Sequence, residues 1–125
     1  MHNLSWLATE PKWTDGLLEK IDEKEDFITI RLGINWFNKV QPWDMVNISI
    51  TVDINEPSKI CLGQAEVLIT IVDTIRSLRE SGTALLFNNI GAKNWDEVLK
   101  DMKKIYGEDK VTENSTISVI ELRPK

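Results

Sequence analysis

Thr29 and Arg31 are the first residues in this chain to set a hydroxyl and a guanidinium within reach of one another. They stand two apart in Phe27-Ile28-Thr29-Ile30-Arg31-Leu32-Gly33. On a β-strand that spacing puts a hydroxyl and a guanidinium on one face, together with Phe27, while Ile28, Ile30 and Leu32 take the other. A guanidinium beside a hydroxyl can grip an anion or the edge of a planar ligand, and the hydroxyl becomes a nucleophile only with a base next to it. A strand buried on both faces does not ordinarily carry an unpaired charge, because its desolvation is very costly. Arg31 is therefore expected to reach water, to pair with a carboxylate such as Glu66 or Glu121, or to await an anionic ligand.

Other candidates are fewer. Trp36, Phe37 and Trp43 fall within ten residues, 35–44, that read as a loop. They could form a stacking platform for an unpaired base, worth about 1–3 kcal/mol per base, or cap the open end of the core. Lys93 is a further cation that could swing toward the same ligand. Cys61, between Ile60 and Leu62, is expected to be an inert buried thiol. One cysteine makes neither a disulfide within the chain nor a zinc site, and His2 is the only histidine. Glycine-rich phosphate loops, dinucleotide motifs and paired cysteines are absent from the sequence. No metal and no cofactor are expected.

Length and charge narrow the partners. At 125 residues the chain suits one domain with a core of its own. It contains no apolar run of the roughly 20 residues needed to span a bilayer and no signal-like start, so a cytoplasmic protein without a membrane partner is expected. The net charge of −5 is uneven: residues 1–26 carry three lysines against seven acids, and the remainder 12 basic against 13 acidic residues. A near-neutral body argues against a broad footprint on duplex DNA. It leaves room for a pocket that takes one nucleotide or a single-stranded RNA segment. The acidic run 22–26 could alternatively meet a basic protein partner. Lys100, Lys103 and Lys104 read as a solvated helix face.

The secondary structure that carries these residues follows from periodicity. Residues 1–12 lack a clear period and read as an extended arm, with the domain proper over 13–125. Thr14 is expected to cap a short helix bearing Leu17, Leu18 and Ile21. Strands follow at 27–32 and at Met45–Val52, where Val46, Ile48, Ile50 and Val52 alternate with polar residues. Asn55 to Lys59 reads as a turn. Ile60 to Val72, broken by Gly63, reads as a long bent strand with a bulge. A short helix over 73–80 precedes an ambiguous stretch, 83–93. The stripe Trp95, Val98, Leu99, Met102 and Ile105 then predicts an amphipathic helix, with Asn94 and Glu97 as a capping box and Gly107 as its stop. Ser115 to Leu122 is the last strand. Strands in runs around a few helices indicate an α+β or small-barrel domain.

With these elements in order, the chain resembles the ASCH domain, a branch of the PUA-like β-barrels. The likeness lies in Thr29-Ile30-Arg31-Leu32-Gly33 after a helix, Asp44-Met45-Val46, Gly63-Gln64-Ala65-Glu66-Val67, Trp95 to Gly107 ending Lys104-Ile105-Tyr106-Gly107, and Val119 to Leu122. It covers roughly residues 13–123. It implies a small β-barrel flanked by helices, with a nucleotide or RNA cleft in which Thr29, Arg31, Trp36, Trp43 and Lys93 would be the binding residues. Some small members of that family hydrolyse the amide of N4-acetylcytidine with a lysine, a threonine and a glutamate. Here Thr29 matches, but Asp26 stands where the lysine would be and Lys24 where a glycine would be, and Asn88 to Lys93 contains no acid. The resemblance therefore implies binding rather than catalysis. An amidohydrolase acting on an acylated nucleoside, or an acidic interaction module, is the alternative.

Overall fold

The computed structural model describes residues 1–8, 11–51, 59–82 and 84–125. In chain order the elements are β1 (Asn3–Leu7), α1 (Pro11–Glu23), β2 (Phe27–Leu32), α2 (Asn35–Lys39), β3 (Met45–Thr51), β4 (Lys59–Thr74), α3 (Ile75–Glu80), a 3-10 turn at Leu85–Asn88, α4 (Trp95–Tyr106) and β5 (Thr116–Pro124). The five strands form one curled mixed sheet in the order β1-β3-β4-β5-β2. Only β1 and β3 run parallel; the other pairs are antiparallel. The fold is α+β, an open half-barrel with β1 and β2 at its two edges.

Both faces of the sheet are covered, which follows from strand alternation. Phe27 and its same-face neighbours Leu122, Val46, Ile48, Val67 and Ile120 build one core with Trp6, Trp13 and Leu17. Ile28, Ile117 and Val119 build the other with α3 and α4, through Ile75, Leu78, Trp95, Val98 and Met102. Complete burial of a side chain such as Phe27 contributes about 1.5–3 kcal/mol. No helix among the described residues is long and apolar enough to cross a membrane.

The structure departs from the sequence-based expectations at several points. Residues 3–7, read as part of an arm, are extended but belong to the sheet: they pair with Asn47–Thr51, and Leu4 is wholly buried. The first helix starts at Pro11 rather than after Thr14, since proline at the first helical position has its φ preset and loses no needed N–H. Residues 35–39, read as loop, are a short helix. The long strand extends to 16 residues, Lys59–Thr74, with register shifts opposite Ile48/Ser49 and at Val67/Ile69. Gly63 sits at the first shift with φ of 150°, a backbone state that glycine tolerates. Asn94 caps α4 by accepting from the Glu97 N–H at 2.9 Å, but the Glu97 carboxylate reaches the N–H of Lys93, one residue before its expected partner. Cys61 is exposed, because the bulge turns it outward beside Gly63. The turn expected at 55–59 lies outside the described residues up to position 58.

A charged clasp ties α3 to α4 and to the segment before β5: Arg79 pairs with Asp96 at 3.1 Å and with Glu113. The Arg79 hydrogen bond holds the Glu113 carboxyl below its ordinary pKa. A depressed carboxylate contributes stability that is fully present above the unfolded-state value and is lost as pH falls through the folded one. Stability followed by urea denaturation is therefore expected to fall on acidification below about pH 4.3, with a shallower fall in Arg79→Met. An unchanged acid limb in that variant would remove the clasp from the pH dependence.

Candidate functional site

Curling brings the β1 and β2 edges toward one another, and Arg31 spans the space between them. Its Nη1 donates to the main-chain oxygen of Ser5 at 3.0 Å, and its Nε donates to Thr29 Oγ1 at 3.0 Å. The guanidinium carbon lies 4.9 Å from the centroid of the Trp6 ring, a cation–π contact. The pattern has a backbone cause. His2 accepts from the Asn47 N–H, so even-numbered residues of β1 turn their main chain toward β3. Ser5 turns its carbonyl the other way, to an edge that has no strand beside it. Arg31 supplies the missing donor.

Sequence reasoning offered Glu66 or Glu121 as partners for Arg31, and neither fills that role. Glu66 faces Lys125 at 3.6 Å. Glu121 stands opposite Ile28 in the register, on the other face of the sheet from Arg31. Among the described residues no carboxylate pairs with this guanidinium. Burial pulls its pKa below the ordinary arginine value, and Tyr106 acts in the opposite direction. An arginine so placed is still protonated at neutral pH. The result is a desolvated positive charge held by a carbonyl, a hydroxyl and an indole face.

In front of Arg31 lies a cavity of about 310 Å³, near the lower end of the roughly 300–1,000 Å³ common for small-molecule sites. Thr29 and Arg31 form its polar floor, and Trp6, Trp13, Met102, Ile105 and Tyr106 stand among its walls. Thr29 is 4% exposed. Because its oxygen accepts from Arg31, its own hydrogen is left to donate. Tyr106 Oη lies 3.5 Å from the Leu32 N–H, a long contact that likewise leaves the phenol hydrogen free.

Among the described residues, the two carboxylates nearest in the sequence pattern or in the cavity lining are both held by cations rather than by Thr29. Asp26, at the position the resemblance assigns to a lysine, is engaged by Arg123 in two bonds of 3.0 and 3.1 Å. Alternation also directs it away from the face that carries Thr29. Asp101 lines the cavity, but Lys12 holds both its oxygens at 2.9 and 3.0 Å.

Thr29 and Arg31 are brought together here; the other candidate binding residues lie elsewhere. Trp36 packs against the first core, with His2 edge-on at 6.1 Å and Lys39 over its ring at 4.9 Å. Trp43 is 81% exposed in a left-handed backbone state, φ 79°, pinned by its N–H donating to Val67 O at 2.8 Å and by Asp44 O accepting from Val67 N–H at 2.8 Å. Lys93 donates to the Asn89 carbonyl at 2.6 Å and lines a different hollow, beside Arg79 and Phe87. The aromatics of the Arg31 cleft are instead Trp6, Trp13 and Tyr106, which sequence reasoning passed over. One signal was available: Leu4-Ser5-Trp6-Leu7 places Leu4 and Trp6 on one strand face. The approach of α1 to the sheet, which places Trp13, left none.

That approach depends on Gly91. Its φ is 88°, and a Cβ there would lie 3.1 Å from Trp13 Cδ1 and 3.2 Å from Nε1. Gly91→Ala is expected to lower stability by about 1–3 kcal/mol, from left-handed strain plus displacement of the indole. Thermal or urea denaturation measures it, and an unchanged midpoint would show that the wall formed by Trp13 yields freely.

No protein-family model matches the chain, and no curated protein is similar to it in sequence. Among solved structures, the crystal structure of hypothetical protein PH0355 shares the fold at a TM-score of 0.56, with 18% identity over 98% of this chain and 99% of that one. An ASCH domain from Lactobacillus crispatus JV V101 superposes at a TM-score of 0.48, with 10% identity over 98% of this chain and 79% of that one.

Proposed function

We propose that the Arg31 cleft is a binding site for a nucleoside or for one unpaired base of an RNA strand, and that it works without catalysis. One observation carries the reading: a guanidinium fixed by two protein acceptors, with no counter-ion among the described residues, at the floor of an aromatic-walled cavity. Two of its five N–H groups are committed to Ser5 and Thr29, which leaves three to offer a ligand. Aromatic and apolar walls suit a flat ring that has been taken out of a stack, as in other pockets that receive flipped bases. The chain's net charge of −5 disfavours a long phosphate track, so the contact is one of a single residue rather than of a duplex. Thr29 lacks a base, so hydrolysis of an acylated nucleoside is not part of the reading.

Tryptophan fluorescence titrations with the four ribonucleosides, short single-stranded RNA and duplex DNA test it. Saturable quenching by at least one nucleoside and by single-stranded RNA is expected, with duplex DNA much weaker. The absence of any response at millimolar nucleoside would overturn the reading.

A further inference from the structure

Arg31 brings to the cavity a charge that no described residue neutralises. The charged residues among those lining the cavity are Arg31 and Asp101. Asp101 is already engaged, since Lys12 holds both of its oxygens at 2.9 and 3.0 Å. The acceptors that Arg31 does have, Ser5 O and Thr29 Oγ1, are both neutral. A carbonyl and a hydroxyl orient a guanidinium and satisfy two of its N–H groups, but they leave its charge uncompensated. Charged groups withdrawn from water are as a rule paired with an opposite charge. Here the pair is incomplete, and Arg31 lines the cavity.

The hydroxyls beside it have the same polarity. Thr29 Oγ1 accepts from Arg31, and the Tyr106 oxygen faces the Leu32 N–H at 3.5 Å, so both keep a hydrogen to donate. The hydroxyls of Ser5 and Thr51, which also line the cavity, bond to one another. A cation flanked by hydroxyl donors favours an anion over a neutral acceptor, because charge-assisted hydrogen bonds are roughly twice as strong as those between neutral groups. The walls that include Trp6 and Trp13 suit a ring rather than a bare ion. From this juxtaposition we infer that the ligand supplies the missing counter-ion: the site takes a nucleotide, with its phosphate on Arg31, Thr29 and Tyr106 and its base against the indoles. The inference rests on the reading of the cleft as a base-binding site and adds the group that Arg31 holds. A free mononucleotide and a single residue of an RNA strand share this chemistry.

Titration of the unaltered protein with each of the four ribonucleosides and with its 3′- and 5′-monophosphates decides it. The altered group belongs to the ligand, so protein folding is not in question. The best-bound base is expected to bind at least about tenfold more tightly as a monophosphate than as a nucleoside, the gain typical of a charge-assisted contact. The net charge of −5 opposes anions at long range, so such a preference has to arise inside the cleft. The dimethyl ester of that monophosphate keeps the phosphate's oxygens without its charge and should bind no better than the nucleoside. A dinucleotide that matches the monophosphate assigns the site to an RNA strand, and one that fails to bind assigns it to a free nucleotide; both carry the phosphate contact. Equal binding of nucleoside and monophosphates, or of monophosphate and ester, would overturn the inference and leave the cleft as a base site. Inorganic phosphate binding as tightly as the monophosphates, with no response to nucleosides, would remove the base-binding reading and keep the anion seat. If nothing binds, the two fail together.

Discussion

Replacing Arg31 by methionine is expected to abolish nucleoside binding while changing the stability of the fold by no more than about 2 kcal/mol. The two effects separate because they have different origins. Arg31 loses two hydrogen bonds, to Ser5 O and Thr29 Oγ1, and its contact with Trp6. Hydrogen bonds to a charged group contribute about 1.5–3 kcal/mol each. Against that loss stands the desolvation of a guanidinium that has no carboxylate partner, a penalty of several kcal/mol that methionine does not incur. The terms are of similar size and opposite sign, so the fold is nearly indifferent. A ligand is not indifferent, because the charge is the one strong donor set on the cleft floor. Arg31→Lys keeps the charge but cannot serve Ser5, Thr29 and a ligand together, and should fall between wild type and methionine. Urea denaturation and nucleoside titration on the same samples check both halves. A stability loss above about 4 kcal/mol, the range for breaking a buried charged network, would make Arg31 a structural latch. Unchanged binding would place the ligand elsewhere.

Trp6→Ala is expected to have the largest effect on stability, about 3–5 kcal/mol, as for other buried large-to-small changes at aromatic positions. Trp6 is 8% exposed, packs 6.0 Å from Phe27 between ring centroids, and covers the guanidinium of Arg31. β1 is a five-residue edge strand that pairs only with β3. Leu4 and Trp6 are its buried anchors, so loss of the indole weakens the whole strand. The loss should be uneven: amide protection is expected to collapse first in Asn47–Thr51, which pairs with β1, and later in β5, which lies between β4 and β2. Hydrogen exchange resolves this order. Trp6→Phe should recover part of the stability. A uniform loss of protection across the sheet would show that β1 is not a separable unit.

Much of the architecture was legible because period-two patterns are local. Val46, Ile48 and Ile50 of Met45–Thr51 share one buried face, Phe27 and Ile28 of Phe27–Leu32 enter the two opposite cores as alternation requires, and the bend at Gly63 announces itself in an otherwise apolar run. The Trp95–Tyr106 helix is likewise written in one stripe with an Asn94 cap. β1 was harder. Five residues hold barely two alternations, and a parallel partner more than forty positions away leaves no turn to reveal the pairing. Cys61 was misplaced because the added residue of a bulge reverses which side chains face outward, and a bulge's register is set by the neighbouring strand.

That Thr29 and Arg31 share a face, and that Arg31 could not sit unpartnered in a core, follows from residue types and spacing alone, through strand geometry and the cost of desolvating a charge. The partner itself emerges once the strands assemble. It is no carboxylate but the main-chain oxygen of Ser5, which the curl of the sheet leaves at an open edge opposite β2. A side-chain partner can be sought among residue types. A carbonyl belongs to every residue, and its availability depends on which strand lies beside it. The aromatic walls follow the same logic: Trp6, Trp13 and Tyr106 come from β1, α1 and α4, and only closure of the fold brings them to one cleft.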